Sequence, residues 1–334
     1  MMKPSSSSQP RIGIAGATGY AGQELVRLIA RHPSVRLSIA TSSGSGEARP
    51  LPALTRIFDG EVTPLDLDAL ARASDIVCLA LPEKAAASIG AELVAAGVRV
   101  IDLSGAFRLR SDALRARWYP ETKDLPDGTV YGLPERDRAA IADARLVSCP
   151  GCYPTAALVA LTPLVSAGLL DGPVVIDAKS GVSGAGKAPS DRTHFSENHG
   201  SVAAYGVFNH RHAAEMEQEL DRQVTFVPHL VPLNRGILET IYVNLAPGAT
   251  APAVEGALEA AYAEAQIVRL RGGDLPEIKH VAYTPFCDVG WRVDAESGRM
   301  VVVSCLDNLL KGAASQAVQN LNLMCGLPEA EGLF

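Results

Sequence analysis

RIGIAGATGYAGQELVRLIA, residues 11–30, is the stretch whose reading decides the fold. Arg11–Ala15 is a short apolar strand. It runs straight into Gly16-Ala17-Thr18-Gly19-Tyr20-Ala21-Gly22, a GxxGxxG spacing, and apolar residues then recur at helical spacing over Gln23–Arg31. Glycine permits the tight turn and lets a pyrophosphate approach the backbone, while the helix start offers free N–H groups and a partial positive charge. A plain strand-to-helix turn also uses glycine. The order strand, loop, helix and second strand (Val35–Thr41) favours a dinucleotide site, with Gly16, Thr18, Gly19, Tyr20 and Gly22 as cofactor contacts. The second strand ends in Thr41-Ser42-Ser43, where an NAD site places a carboxylate on the ribose hydroxyls. Here no carboxylate repels a 2′-phosphate and three hydroxyls are offered to it, so the predicted cofactor is NADP(H).

Outward from this stretch the alternation continues. Ser74–Ala80, Gly97–Leu103 and Arg145–Ser148 read as apolar strands, and Lys84–Ala96 as an Ala-rich helix. Such runs separated by helices predict a parallel sheet covered on both faces. After about Leu170 the pattern becomes β-rich, with Val174–Ala178, Val224–Pro228, Leu238–Asn244, Cys287–Val293 and Met300–Cys305. A second, α+β domain with a mixed, largely antiparallel sheet is expected there. Leu309–Met324 returns to helical periodicity.

Composition excludes several classes. The 334 residues suit two domains, 47% are apolar, and the net charge of −7 comes with no basic stripe, so nucleic acid is not an expected partner. No apolar run is long enough to span a membrane. Met1–Pro10 is Ser-rich, has no apolar signal-peptide core, and reads as a flexible tail. Six scattered cysteines suggest a reducing compartment, and a cytoplasmic location is expected.

The chemistry concentrates in Ser148-Cys149-Pro150-Gly151-Cys152-Tyr153-Pro154-Thr155. An apolar strand precedes it and the helix Ala156–Leu164 follows, with Pro154 in the first turn. Cys152 at a helix start is expected to have a lowered thiol pKa and to serve as a nucleophile. Cys149-Pro150-Gly151-Cys152 is also a C-x-x-C, so a redox dithiol stays open beside the nucleophile. A zinc site lacks a second close cysteine pair.

Motifs along the chain carry a specific resemblance: GATGYAGQEL (16–25), DLSGAFRL (102–109), YGLPE (131–135), PGCYPTA (150–156), KSGVSGAGK (179–187), HRHAAEMEQEL (210–220), FVPHLVPLNRGILETIYV (226–243) and DNLLKGAASQAVQNLN (307–322). From Arg11 to about Met324 the chain resembles the N-acetyl-gamma-glutamyl-phosphate reductases of arginine biosynthesis, relatives of aspartate-semialdehyde dehydrogenase. The resemblance implies a Rossmann domain at 11–151 completed by a C-terminal helix at 307–334, with a catalytic and oligomerising domain at 152–306 between them. It implies NADPH-dependent reduction of N-acetylglutamyl phosphate to the semialdehyde through a Cys152 thioester. It implies acid/base chemistry at His210 or, second, His212, and phosphate contacts from Arg108 and Lys187. Ser183, Gly184 and Asn308 are implied cofactor contacts.

Three departures stand out. The family usually has Asn where Cys149 stands, PHG where Pro82-Glu83-Lys84 stands, and HRHTPEI where the chain reads His210-Arg211-His212-Ala213-Ala214-Glu215-Met216. His210 and His212, two apart on a segment read as extended, project to one side, and Glu215 is near. The acid/base reading is preferred to a metal site because Cys152 needs a proton partner, and no metal is expected. A homodimer or homotetramer is expected, because mixed sheets often supply subunit interfaces. The alternatives are a reductase of aspartyl or aminoadipyl phosphate, and a non-catalytic NADP-binding redox sensor using Cys149 and Cys152.

Overall fold

The computed structural model describes residues 9–42 and 46–334. Its first sheet is built from β1 (Arg11–Ala15), β2 (Arg36–Ser42), β3 (Arg49–Pro50), β4 (Glu61–Pro64), β5 (Ile76–Leu79), β6 (Arg99–Asp102), β7 (Thr129–Tyr131) and β8 (Leu146–Ser148). The spatial order is β3-β4-β2-β1-β5-β6-β8-β7, parallel throughout except for the short β3–β4 pair. Alternate residues of these strands face opposite layers. Ile76 and Cys78 join one core, and Val77 and Leu79 join the other. Helices α2 (Leu67–Ala73) and α3 (Glu83–Ala95) cover the second face, while α1 (Tyr20–Ala30) covers the first. Helices α4 (Asp112–Trp118) and α5 (Pro134–Asp143) lie in the connections that follow β6 and β7. This is the Rossmann-type layer expected from residues 11–30. The helix after the glycine loop begins at Tyr20 rather than Gln23, because Gly19 already serves as its N-cap.

The second sheet holds β9 (Leu170–Gly181), β10 (Ala203–Ala204), β11 (Val224–Val231), β12 (Ile237–Leu245), β13 (Val268–Gly272), β14 (Cys287–Asp294) and β15 (Arg299–Leu306), in the order β10-β11-β9-β12-β15-β14-β13. It is mixed and mainly antiparallel: only β11–β9 and β13–β14 run parallel. Helices α6 (Cys152–Ser166), α8 (Arg211–Leu220) and α9 (Ala251–Tyr262) pack on one face, around Ile176, Phe226, Ile241 and Val302. The short α7 (Phe195–Asn198) lies in the long β9–β11 connection. The other face is covered at one end, where Val281 packs on Val303 and Cys305, and open at the other. Val175 and Tyr242 are exposed there and line an open apolar cavity with Val301.

The chain then returns to the first layer. Helix α10 (Ser315–Met324) places Ala317, Val318 and Leu321 against Ile12, Ile14 and Leu25. Its approach, Leu310–Ala314, is a π-turn and not the regular helix implied by the periodicity of Leu309–Met324. No helix among the described residues is long and apolar enough to cross a membrane.

Candidate active site

Strand β8 delivers Ser148 to the Cys149-Pro150-Gly151 turn, and Gly151 N-caps α6 with Cys152 as its first residue. Gly151 is required by close approach: a Cβ there would come within 2.5 Å of His212 Nε2 and 2.9 Å of Arg108 Nη1. Gly312, in the π-turn, is pressed against the nucleophile candidate, where a Cβ would meet Cys152 Cβ at 2.8 Å. Cys152 opens into a cavity of about 270 Å³ with Tyr153, Ser180, Gly184, Arg192, His210 and His212 among its walls.

The electrostatics correct one expectation. Burial pushes the Cys152 thiol up to about 11, against the lowering effect of Arg108 and of the Tyr153 amide at the helix start. Desolvation therefore outweighs the helix terminus, and the resting thiol is protonated at neutral pH. Beneath it on β12, Glu239 is fully buried with both carboxyl oxygens unpartnered, and burial pushes its carboxyl well above the usual carboxylate range.

The histidines do not lie on an extended segment. His210 is the N-cap of α8 and His212 stands in its first turn, with ring centroids 4.8 Å apart. His210 Nδ1 accepts the His212 amide at 3.1 Å, which assigns its proton to Nε2. Burial, then Arg211, lowers His210 to about 4. Burial, His210 and Arg108 push His212 further in the same direction. Both rings are neutral at pH 7.

Arg108 and Lys187, expected as phosphate contacts, are placed differently. Arg108 is buried, with its Nη1 3.5 Å from Nε2 of His212, a residue of the cavity wall. Its Nε donates to Cys149 O at 2.8 Å, its Nη2 to Leu103 O at 3.0 Å, and its Nη1 faces Glu215 Oε2 at 3.4 Å. Glu215 also accepts the Gly151 amide at 2.8 Å and the Tyr131 hydroxyl at 2.7 Å. The pair thus braces the turn that carries Cys152. Lys187 reaches Thr18 O at 2.6 Å, stands over the Tyr20 ring, and is absent from the Cys152 cavity.

The glycine loop fits a dinucleotide. Gly16 has φ +91°, and a Cβ at Gly22 would come 2.1 Å from Gly16 O. The α1 start, with Thr18, Gly19 and Tyr20, would hold the pyrophosphate. Thr41, expected as a cofactor contact, has its polar groups engaged within the protein. Its hydroxyl donates to Ile14 O at 3.3 Å and its carbonyl accepts the Gly16 and Ala17 amides, so it holds the loop and offers no hydroxyl. Ser42 is buried, and Ser43 lies outside the described residues. Arg49 and Lys187, which share a cavity with Thr18 and Gln23, are the cations beside this loop. Gly184 lines the Cys152 cavity, and Ser183 accepts from Asn308 Nδ2 at 3.0 Å behind it.

Cys149 does not share the surroundings of Cys152. It is buried in the core of the first layer, accepts from Asn320 Nδ2 at 3.4 Å, and has its thiol raised to about 12 chiefly by burial. Both cysteines are free. Glu83, at the departure Pro82-Glu83-Lys84, opens α3 and pairs with Arg211 at 2.7 Å.

Residues 11–144 match the family described as "Semialdehyde dehydrogenase, NAD binding domain", and residues 152–308 match "Semialdehyde dehydrogenase, dimerisation domain". Together with a glycine-loop layer that feeds a cysteine at the start of α6, these define the class: the chain is a semialdehyde-dehydrogenase-type oxidoreductase. It shares the fold of aspartate semialdehyde dehydrogenase II from Vibrio cholerae, with a TM-score of 0.76 at 21% identity over 96% of this chain and 99% of that one. Within the class, the chain is 44% identical to an N-acetyl-gamma-glutamyl-phosphate reductase of Syntrophobacter fumaroxidans and 42% identical to one of Brevibacillus brevis, each over 97% of both chains. The chain belongs to the N-acetyl-gamma-glutamyl-phosphate reductase family.

Proposed function

We propose that this protein reduces N-acetyl-L-glutamyl 5-phosphate to the 5-semialdehyde with release of phosphate, through an acyl-enzyme on Cys152. The observation that carries the reading is the convergence of Cys152, His210 and His212 on one cavity in a chain of this family. The reading further takes the protein to be a cytoplasmic homodimer or homotetramer. The description of residues 152–308 as a dimerisation domain and the open apolar sheet face at Val175 and Tyr242 support the assembly.

Cys152 attacks the acyl carbon. The carbon–oxygen bond to phosphate breaks, and the leaving phosphate carries off the thiol proton. Backbone amides at the start of α6 stabilise the oxyanion. NADPH, when bound on the Gly16–Gly22 loop, supplies the hydride. His210, neutral and with its proton on Nε2, hydrogen-bonds to the acyl oxygen as that oxygen gains charge; the carbon–sulfur bond then breaks, the aldehyde leaves, and the Cys152 thiolate regains a proton from water. Arg49 and Lys187 favour the 2′-phosphate of NADP over NAD.

The test is Cys152→Ser assayed with substrate and NADPH. We expect turnover to fall by more than about a thousandfold, with NADPH binding retained; near-normal turnover sinks the thioester. A panel of N-acetylglutamyl, aspartyl and aminoadipyl substrates ranks the acyl group.

A further inference from the structure

The substrate of the proposed reaction carries two anionic groups, and the cavity around Cys152 must receive both. Its walls contain two arginines, Arg192 and Arg211. Arg211 is committed to Glu83 at 2.7 Å. The Arg192 guanidinium has no carboxylate and no hydrogen-bond acceptor among the described residues. Its one neighbour of note is the ring of Tyr205, with Cζ 5.5 Å from the centroid.

Arg192 is exposed, on a backbone fixed by its own turn. It is the middle residue of the turn Asp191–Thr193, which Ser190 and Thr193 close with a reciprocal capping box. The Tyr205 hydroxyl lies 3.2 Å from that of Tyr153, the residue after Cys152, and the Tyr205 ring packs edge-on to His210 at 5.6 Å. A connected wall therefore runs from Cys152 through Tyr153 and Tyr205 to Arg192. Arg192 also lines the adjoining outer cavity, with Glu197 and Ser201. It thus stands at the end of the site away from the thiol.

We infer that Arg192 binds the α-carboxylate of the substrate, the anion remote from the carbonyl that Cys152 attacks. The departing phosphate is attached to that carbonyl, so it must lie beside Cys152, where the amides of the α6 start converge. The α-carboxylate lies several carbon–carbon bonds further on, in the direction of the tyrosine wall. Arginine suits a planar carboxylate because its forked donors match the two oxygens. The inference rests on the proposed reaction, and it adds the residue that tells an α-amino acid derivative from a simple aldehyde.

The experiment runs the reaction backwards, with phosphate, NADP and either N-acetylglutamate 5-semialdehyde or 4-acetamidobutanal, which lacks the carboxylate. Arg192→Ala is expected to raise KM for the semialdehyde by roughly tenfold to a hundredfold, the loss of one charge-assisted pair. KM for phosphate and for NADP is expected to stay within about twofold. Arg192→Lys is expected to recover part of the loss. With 4-acetamidobutanal, the wild type and Arg192→Ala are expected to be equal. An equal loss on both aldehydes, or a loss that falls on phosphate, overturns the assignment. If another carboxylated aldehyde proves to be the better substrate, the proposed reaction fails, and the same comparison with and without that aldehyde's carboxylate still decides Arg192.

Discussion

Cys152 combines a helix start that favours its thiolate with burial that opposes it, and burial prevails, at about 11. Alkylation of the free enzyme by iodoacetamide should therefore accelerate about tenfold per pH unit from pH 8 to 10, because only the thiolate reacts. A plateau already reached at pH 7 would refute this. His210 gives a stability prediction of opposite limb. Its folded pKa of about 4 lies below the ordinary 6.5, so the unfolded chain takes the proton first. Its contribution is complete above about pH 6.5 and is lost as pH falls to about 4. His210→Asn should make the loss of urea stability across that window shallower. At the cofactor loop, Arg49→Ala should raise KM for NADPH more than KM for NADH, by roughly fivefold to fiftyfold for one lost phosphate contact. Cys152 and the two histidines were legible because each sits in a local motif. Arg192, Glu215 and the role of Glu83 were not, because their partners lie far along the chain: Glu83 meets Arg211, and Glu215 meets Gly151 and Tyr131. Thr41 misled for the same reason, since the Ile14 carbonyl that takes its hydroxyl belongs to another strand.

At the scale of elements, the approach to α10 does the most for the site. Its π-turn turns Lys311 inward, where the ammonium is fully buried against Glu135 at 2.6 Å and Gln319 at 2.8 Å. Lys311→Ala strands a buried carboxylate and should destabilise by about 3–5 kcal/mol, read from the urea midpoint. Glu135→Gln in the same chain should restore part of that. Gly312→Ala acts locally: with only 2.8 Å between its Cβ and that of Cys152, it should lower kcat with little change in KM for NADPH. The periodicity of Leu309–Met324 announced a helix here, but the irregular first turn follows from packing against α6, which no spacing within the segment reveals. Strand β9 shows the converse. Only Val174–Ala178 reads as strand from its apolar residues, yet Leu170–Gly181 pairs along its length with β12, and that partner extends it through polar positions.

For the whole molecule, the alternation of the first half announced a parallel sheet and the β-rich second half a mixed one. The order of the strands depends on crossovers that the sequence does not mark. The open end of the second sheet's outer face makes a prediction at this scale. Val175→Lys with Tyr242→Lys should shift the assembly toward monomer in light scattering, because both side chains are exposed on that face. The return of α10 has a consequence in time. The core around Ile12, Ile14 and Leu25 is closed by Ala317, Val318 and Leu321, residues that leave the ribosome only after the whole second sheet has been made. The first layer to be synthesised is thus the last to be sealed. Until then its half-finished hydrophobic side stays open, and wrong contacts made during synthesis fall on that side first.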